Sequence, residues 1–328
     1  MEAWLPLIFM VLMAIAMLAY VILDGYDLGI GILLPGTDDA GKDQMVASIG
    51  PFWDANETWL VLGIGILLIA FPLAHGVILT ALYLPVVLML IGLILRGVAF
   101  DFRVKARDER KRLWNFAFFA GSLLAALAQG YMLGSYILGF QDDLAGIAFA
   151  AFIAVCLASG YTLLGACWAL MKCDDTLQLR ARHWARLALW LTGAGIVAVS
   201  IATPWVSPRI FDRWFAWPNT LLLAPIPLAS AALFLLCDRY LARRELAGAA
   251  WKPFACAVGL FVLAFLGLAW SLYPYLVVDR ITFWEAASAP ASLWIILIGV
   301  AITLPMIIGY TVYAYRVFWG RTGQLSYD

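Results

Sequence analysis

Nine apolar segments, each long enough to cross a lipid bilayer, constrain this chain more than any other feature of its sequence. They cover residues 4–26, 53–72, 77–99, 114–138, 144–170, 187–206, 218–237, 254–276 and 291–316. A helix of about 20 apolar residues spans the hydrocarbon core, and a helix pairs its backbone groups within its own segment. We therefore predict an all-α polytopic membrane protein with nine transmembrane helices, organised as a single transmembrane helical domain over residues 1–328.

Composition supports this class and excludes several others. Hydrophobic residues make up 65% of the chain, charged residues 13%, and the mean hydropathy is +0.92, which no ordinary soluble domain reaches. The formal net charge is zero at pH 7, which argues against nucleic acid as a partner. The five cysteines include no C-x-x-C pair, so we predict neither a zinc site nor a redox dithiol. The first apolar run is too long for a signal-peptide core, and we expect it to be retained as a span.

The basic residues predict how the chain is oriented. Of the 21 Lys and Arg residues, 17 fall in the connections after the first, third, fifth and seventh spans or in the C-terminal tail. The opposite side has only Arg209, Arg213 and Arg280, and Arg96 lies inside a span. Because cytoplasmic loops are enriched in Lys and Arg, we predict that the N-terminus lies outside and the C-terminus in the cytoplasm.

Four carboxylates stand at the cytoplasmic ends of the first two spans. Asp24 and Asp27 close the first span, and Asp54 and Glu57 open the second, each pair with the i,i+3 spacing that shares a helix face. Arg96 is expected at the same depth, about one turn before the end of the third span. Acidic side chains in a membrane protein are costly and commonly mark an ion or proton path. We predict an ion-paired cluster in which Arg96 holds Asp24 or Asp54.

Simpler roles compete with this interpretation. Asp27 and Glu57 are also explained as helix caps or as solvated side chains at helix ends. The two histidines, His75 in an outer turn and His183 in a cytoplasmic loop, do not offer a buried axial pair for haem. Nucleophile-elbow, P-loop and dinucleotide-binding patterns are absent from the sequence. The chain by itself is therefore predicted to supply no catalytic residue and no metal site.

Three stretches carry a resemblance to a known family. They are Leu23-Asp24-Gly25-Tyr26-Asp27-Leu28-Gly29-Ile30-Gly31, Gly50-Pro51-Phe52-Trp53-Asp54-Ala55-Asn56-Glu57-Thr58-Trp59-Leu60 and Leu95-Arg96-Gly97-Val98-Ala99-Phe100-Asp101-Phe102-Arg103. With the nine-span layout and the end of the last span at 310–316, they resemble subunit II of the cytochrome bd-type quinol oxidases. The length is similar to that of the short, cyanide-insensitive branch.

The resemblance implies a heterodimer with a haem-bearing subunit I in a bacterial inner membrane. That complex is a ubiquinol oxidase, a terminal oxidase of aerobic respiration that reduces dioxygen to water. Subunit I is implied to ligate haem b558, haem b595 and haem d, while membrane lipid surrounds both chains. A structural quinone and small accessory subunits stay open.

The same resemblance assigns roles to residues of this chain. Asp24 and Asp54 match family aspartates associated with a cytoplasmic proton pathway, to which we add Asp27 and Glu57. Arg96 is expected as a structural ion-pair partner. Trp53, Gly25 and Asn56 support the motifs around these groups.

Two other functions use the same residues. In a secondary transporter, Asp24, Asp54 and Arg96 would bind substrate and coupling ion, and in a purely structural membrane scaffold they would only join helices. Transporter sites commonly lie near the midplane between inverted repeats. Here the cluster is predicted near one face and no internal repeat is found, which favours the oxidase subunit.

Overall fold

The computed structural model describes residues 4–173, 175–243, 248–318 and 320–321. Fourteen α-helices occur in these ranges: α1 Leu5–Leu33, α2 Asp39–Ile49, α3 Trp53–Ala70, α4 Pro72–Ala81, α5 Tyr83–Lys105, α6 Asp108–Ile137, α7 Leu144–Lys172, α8 Asp175–Val206, α9 Pro208–Phe215, α10 Asn219–Leu223, α11 Pro225–Ala242, α12 Trp251–Leu272, α13 Phe283–Ala286 and α14 Pro290–Val317. A 3₁₀ turn, Leu34–Gly36, follows α1, and a two-stranded antiparallel hairpin pairs β1 Tyr275–Val277 with β2 Ile281–Thr282. Within the described ranges, nine helical segments are long and apolar enough to span a membrane, which confirms the predicted class.

Several boundaries differ from those predicted. Helix α1 continues to Leu33 and α5 to Lys105, so Asp24 and Arg96 each lie about 13 Å before the end of their helix. The prediction that Arg96 lies one turn before the end of its span was therefore wrong. In α5 the added residues include Arg103 and Lys105, which continue a helix readily into the polar interface, where hydropathy no longer marks it. In α1 the added residues are mostly apolar, although Asp27 was predicted to end the span.

Two connections predicted as turns or loops are helical. Pro72 opens the separate short helix α4, because proline is favoured in the first turn, and His75 lies in this helix. His183 lies in α8, which begins 12 residues earlier than the predicted span at 187. Both histidines stay outside the centre of the bundle.

Helix α2 closes one end of the bundle. The Asp38 carboxylate accepts a hydrogen bond from the Gly41 backbone N–H at 3.0 Å, which caps α2 and lowers the pKa of Asp38. The buried face of α2 includes Met45 and Val46, and its Ser48 carbonyl accepts a hydrogen bond from Trp168 of α7. The connection between the first two spans is therefore part of the folded core.

Ion pairs bring the connections together at this end. Asp43 of α2 pairs with Arg103 at 2.6 Å and with Lys111 at 3.4 Å, and Arg180 of α8 donates to Thr37 at 3.1 Å. We call the end of the bundle that carries Asp43, Arg103, Lys111 and Arg180 the basic end. Of the basic residues predicted there, Arg244 lies outside the described residues.

The opposite end is built around the β-hairpin, and we call it the hairpin end. Arg209 of α9 pairs with Asp279 of the hairpin at 2.6 Å, and Tyr136 of α6 donates to the Leu276 carbonyl at 2.8 Å. Ser288 donates its backbone N–H to Ala70 at the end of α3. The connections thus alternate between two ends in the order predicted from the spans.

Helices α1 and α7 cross at glycine. A Cβ on Gly29 would lie 1.9 Å from the carbonyl oxygen of Tyr161, and a Cβ on Gly165 would lie 2.4 Å from the carbonyl carbon of Gly29. Such backbone-to-backbone approach is typical of small-residue crossings between membrane helices. This crossing fixes the position of α1 against α7.

We predict that Gly29→Ala destabilises the protein strongly, because its new methyl group would overlap backbone that cannot move aside. The loss should exceed the roughly 1–3 kcal/mol of ordinary overpacking. The control is Gly65→Ala in α3, where nothing lies within 4 Å of the new Cβ. The thermal unfolding temperature of the purified protein in detergent measures both, and equal temperatures for the two variants would contradict the crossing.

We also predict that single cysteines at Glu109 and Asp142 lie on opposite sides of the membrane. Both side chains are exposed, one at the start of α6 and the other just before α7. In a background without native cysteines, a membrane-impermeant maleimide should label one site in intact spheroplasts and the other only in inverted vesicles. Labelling of both sites from the same side would refute the alternation of spans.

Candidate functional site

Arg96 joins three of the spanning helices. Its Nη1 lies 2.5 Å from Asp24 Oδ1 on α1, and its Nη2 lies 3.3 Å from Glu57 Oε2 on α3. The side chain of Asp24 is fully buried, that of Arg96 is 2% exposed and that of Glu57 is 28% exposed. The structure therefore places the arginine against Asp24 and Glu57, and α5 is tied to both α1 and α3.

A second polar group lies beside this ion pair. The Asn56 amide donates hydrogen bonds to Asp27 Oδ2 at 2.8 Å and to the Tyr26 hydroxyl at 2.7 Å. Tyr315 of α14 donates to Asn56 Oδ1 at 3.2 Å, and its hydroxyl lies 2.5 Å from that of Tyr26. Asp27, Tyr26 and Asn56 are all fully buried. The network connects α1, α3 and α14.

Several buried polar atoms of the site lack a hydrogen-bond partner among the described residues. They are Asp24 Oδ2, Asp27 Oδ1, Arg96 Nε and Trp59 Nε1. Asp24, Asp27 and Glu57 supply three carboxyl groups against the one guanidinium of Arg96. Full ionisation would leave negative charge uncompensated inside the bundle, which is costly in a medium of low polarity. A cluster with more carboxyl groups than compensating positive charges can bind and release a proton as its surroundings change.

Asp54 lies at the start of α3, where it was predicted, but it is not the partner of Arg96. It is exposed, and the described ion pairs of the chain do not include it. Residues three apart on a helix differ by about 60° in direction, so Glu57 turns toward Arg96 while Asp54 faces outward. Of the two partners that the sequence left open for Arg96, the structure brings Asp24 to it.

The three residues predicted to support the motifs lie around the cluster. The ring of Trp53 packs against Phe100, with 5.0 Å between the ring centroids. Gly25 faces the ring of Tyr161, where a Cβ would lie 2.8 Å from two ring carbons. Asn56 belongs to the hydrogen-bonded network itself.

Other members of the site were not singled out from the sequence. Tyr20, Tyr26, Gln129, Tyr161 and Tyr315 are all buried or nearly so. Tyr26 and Tyr315 lie in the stretches that carry the resemblance, whereas the other three lie in apolar runs without a motif. The only signal in the sequence was the presence of a polar side chain at membrane depth, which does not indicate the residue it contacts. Only the packing of the helices shows that they meet.

The histidines do not fit a shared haem. His75 lies in α4 at the hairpin end, whereas the exposed His183 lies in α8 at the basic end, so the two imidazoles cannot ligate one iron. Over the residues that the structure describes, no cluster of three or more His, Cys, Asp or Glu side chains is arranged to hold a metal ion.

These observations define a polytopic helical membrane protein that keeps an arginine–carboxylate cluster inside its bundle. Residues 5–318 match the family model described as cytochrome bd terminal oxidase subunit II. The chain therefore belongs to that family, and the resemblance found in its sequence is confirmed.

Individual relatives agree over nearly the whole length. The chain is 26% identical to cytochrome bd ubiquinol oxidase subunit 2 of Bacillus subtilis, covering 96% of both proteins. It is 25% identical to cytochrome bd-I ubiquinol oxidase subunit 2 of Escherichia coli K12, covering 97% of this chain and 95% of that protein. A chain in the structure of bd oxidase from Geobacillus thermodenitrificans shares the fold at a TM-score of 0.78 and 17% identity, with 96% and 99% of the two chains covered.

We predict that Arg96→Leu impairs the protein far more than Arg96→Lys. Removing one partner of a buried pair strands the other charge at a cost of about 3–5 kcal/mol, whereas lysine keeps the charge and loses the two-pronged geometry. The yield and thermal stability of the purified protein measure the difference.

The matched control is Arg186→Leu. Arg186 pairs with Asp238 at 3.0 Å but is half exposed, and such pairs contribute little. The role of the buried pair would be refuted if Arg96→Leu were as well tolerated as Arg186→Leu.

Proposed function

We propose that this chain is subunit II of a cytochrome bd-type ubiquinol oxidase and supports a haem-bearing subunit I in quinol oxidation and in the reduction of dioxygen to water. Its family membership makes it a component of a terminal oxidase complex. The names of the Bacillus and Escherichia relatives support ubiquinol as the electron donor. In this proposal haem b558, haem b595 and haem d belong to the partner subunit, and this chain contributes proton transfer and an assembly surface.

The observation that carries the proton-transfer role is a graded burial of carboxyl groups from the basic end inward. Asp54 is exposed at the start of α3, Glu57 is partly exposed one turn further, and Asp24 is fully buried beyond it. A carboxyl group both accepts and releases a proton. Protons would enter at Asp54, pass to Glu57 and reach Asp24 beside Arg96, with Asp27 as a further acceptor in the interior.

Reduction of dioxygen to water consumes protons, which this route would supply. Arg96 has a positioning role, because its two N–H groups hold Glu57 and Asp24 on one guanidinium and so keep the carboxyl groups close. Asn56 orients Asp27 by its 2.8 Å hydrogen bond. No haem or quinone chemistry is required of these residues.

The surface that packs against subunit I is proposed to include the outward face of α3 and α5. Val61 is 70% exposed and Ile94 65% exposed, next to the cluster in sequence and on the same helices. Asp54 lies at the basic end of this apolar face. Once subunit I covers the face, the proton route would be separated from lipid. Membrane lipid would cover the remaining apolar surface.

The basic end is proposed to face the cytoplasm of a bacterial cell, with the chain in the inner membrane. The asymmetry of Lys and Arg supports this orientation. The Asp54 entrance then opens to the cytoplasm, so that protons taken up there contribute to charge separation. The transporter alternative receives less support, since the family of this chain is one of oxidase subunits.

We predict that Asp54→Asn lowers turnover of the assembled oxidase at unchanged haem content. Asp24→Asn should lower turnover per assembled haem d and should also lower haem content, because it strands the buried charge of Arg96. An amide cannot pass a proton on, although it keeps the shape of the side chain and caps a helix equally well. Oxygen consumption per haem d, measured in proteoliposomes with excess quinol, gives the result.

Asp39→Asn is the matched control, because Asp39 is an exposed acid of α2 that pairs with Lys42 at the surface. Its turnover should equal that of the unmodified complex. Full turnover per haem d in both Asp24→Asn and Asp54→Asn would remove the carboxyl groups from the proton path. Loss of haem along with activity in Asp54→Asn would assign Asp54 to assembly alone.

A further inference from the structure

A groove runs between α6 and α8, which both pack against α7, and its floor is α7 with the end of α1. Its volume is about 250 Å³, and its lining includes Leu33, Leu127, Ala158, Leu187 and Leu191. The described lining comes from α1, α6, α7 and α8 and not from α3 or α5, the helices assigned above to the contact with subunit I. The groove is therefore expected to stay open to lipid in the complex.

The interior of the groove offers no free polar group to a ligand. Its two hydroxyl groups, those of Ser159 and Thr162, donate to the backbone carbonyls of Val155 and Ala158 on their own helix, at 2.9 and 2.8 Å. Among the described residues, the buried polar atoms that lack a partner all lie outside the groove. A polar ring would lose its hydrogen bonds there, whereas a hydrocarbon chain would lose none.

The size of the groove limits what can fill it. One turn of an α-helix, about 10 Å across and 5.4 Å high, occupies roughly 400 Å³, so a helix of another subunit does not fit inside. Leu187 and Leu191 are 57% and 53% exposed on its wall. A slender chain between α6 and α8 would gain van der Waals contact with these side chains along its length.

Trp184 lines the groove on the side of the basic end. Its ring packs against the turn that follows α1, where a Cβ on Gly36 would lie 2.9 Å from the ring carbon Cζ2. Its indole N–H has no acceptor in the described part of the chain. Tryptophan is enriched at the membrane interface, where an apolar ring meets lipid and its N–H meets polar groups.

Arg180 supplies a positive charge one turn beyond Trp184. The spacing of 4, 7 and 11 residues places it on the same face of α8 as Trp184, Leu187 and Leu191. The side chain is exposed, and Nη1 donates to Thr37 at 3.1 Å, which leaves further N–H groups of the guanidinium for a ligand.

The charge of Arg180 is not cancelled by an ion pair within the described part of the chain. The nearby Asp38 carboxylate feels this charge but is held by the backbone N–H of Gly41. An arginine guanidinium binds a phosphate through two parallel hydrogen bonds. Basic residues beside a crevice between membrane helices are a common feature of phospholipid sites.

We propose that the groove binds one acyl chain of a phospholipid whose phosphate is held by Arg180. Along α8 the order of side chains is arginine, tryptophan and leucine, which matches the order of phosphate, ester and hydrocarbon in such a lipid. Trp184 provides an N–H donor at the depth of the ester carbonyls. The chain fills the space over α7 between α6 and α8, so this lipid stays with the protein when bulk lipid is removed.

The first test counts phospholipid in the complex after extensive washing in detergent. Native mass spectrometry gives the number bound, and chromatography of the extracted lipid gives their identity. Val155→Trp, which places an indole in the groove, should lower the number by one phospholipid per complex. Val197→Trp is the matched control, because Val155 and Val197 are 59% and 60% exposed but only the first lines the groove. The control should keep the full number.

The second test addresses the phosphate. Phosphatidylglycerol is added back to the lipid-depleted complex while its thermal unfolding temperature is followed. Arg180→Gln should raise the half-saturating lipid concentration at least about tenfold, the scale of a lost hydrogen bond to a charged group. Arg186→Gln is the control, since Arg186 is a half-exposed arginine of α8 paired with Asp238. Its titration should match that of the unmodified complex.

Several results would overturn the lipid site. They are an unchanged number of phospholipids in Val155→Trp, an equal loss in Val197→Trp, and the loss of a quinone or a detergent molecule in place of a phospholipid. An equal change in Arg180→Gln and Arg186→Gln would remove Arg180 as the phosphate ligand. If Val155→Trp does not assemble, Leu191→Trp fills the groove from α8 and decides in its place. Turnover enters none of these readouts, so the proton route stands or falls separately.

Discussion

The buried ion pair between Arg96 and Asp24 is the interaction on which the rest of this structure depends. Charge inside a membrane bundle is stable only when it is paired and hydrogen-bonded, so the guanidinium must keep its contacts. Because it also reaches Glu57, it fixes α1, α3 and α5 relative to one another. Sliding any of these helices by one turn would strand a charge. The polar cluster is therefore both the candidate site and the set of contacts that fixes the positions of the first three spans along their axes.

Close helix packing holds the partners of this pair in place. The crossing of Gly29 and Gly165 brings α7 against α1, and so presents the ring and hydroxyl of Tyr161 to the cluster. Gln129 of α6 then connects Tyr161 to Tyr20. Helices α1, α6 and α7 are thus joined by hydrogen bonds beside the ion pair, and the close approach of α1 and α7 depends on residues that lack a side chain.

Aromatic rings enclose the second polar group. Tyr26 stacks on Trp168 with 4.1 Å between ring centroids, and Phe52 stacks on Tyr315 at 4.5 Å. Lys172 lies over Phe52 and Trp168 and donates to the Phe318 carbonyl at the end of α14. Helix α14 is largely exposed along its length, so these contacts at its basic end hold Tyr315 against Asn56. The hydroxyl pair and the amide are protected from water on this side.

The sequence by itself determined the membrane class, the number of spans and the accumulation of charge at one end of the bundle. These properties follow from local quantities, because the length of an apolar run and the cost of desolvating a charge do not depend on which helices become neighbours. The same logic placed Asp24, Asp27, Glu57 and Arg96 close in depth. The motif residues also gave the family, since their order along the chain is itself the signal.

Only the tertiary structure decided which of these groups meet. The choice of Asp24 over Asp54 as the partner of Arg96 depends on the rotation of α1 and α3 about their axes, which close packing sets and hydropathy does not report. The contacts of Tyr20 with Gln129, and of Asn56 with Tyr315, join residues more than a hundred positions apart. Helices α2 and α4 were missed because short or polar helices are stabilised by the surface they pack on rather than by their own composition.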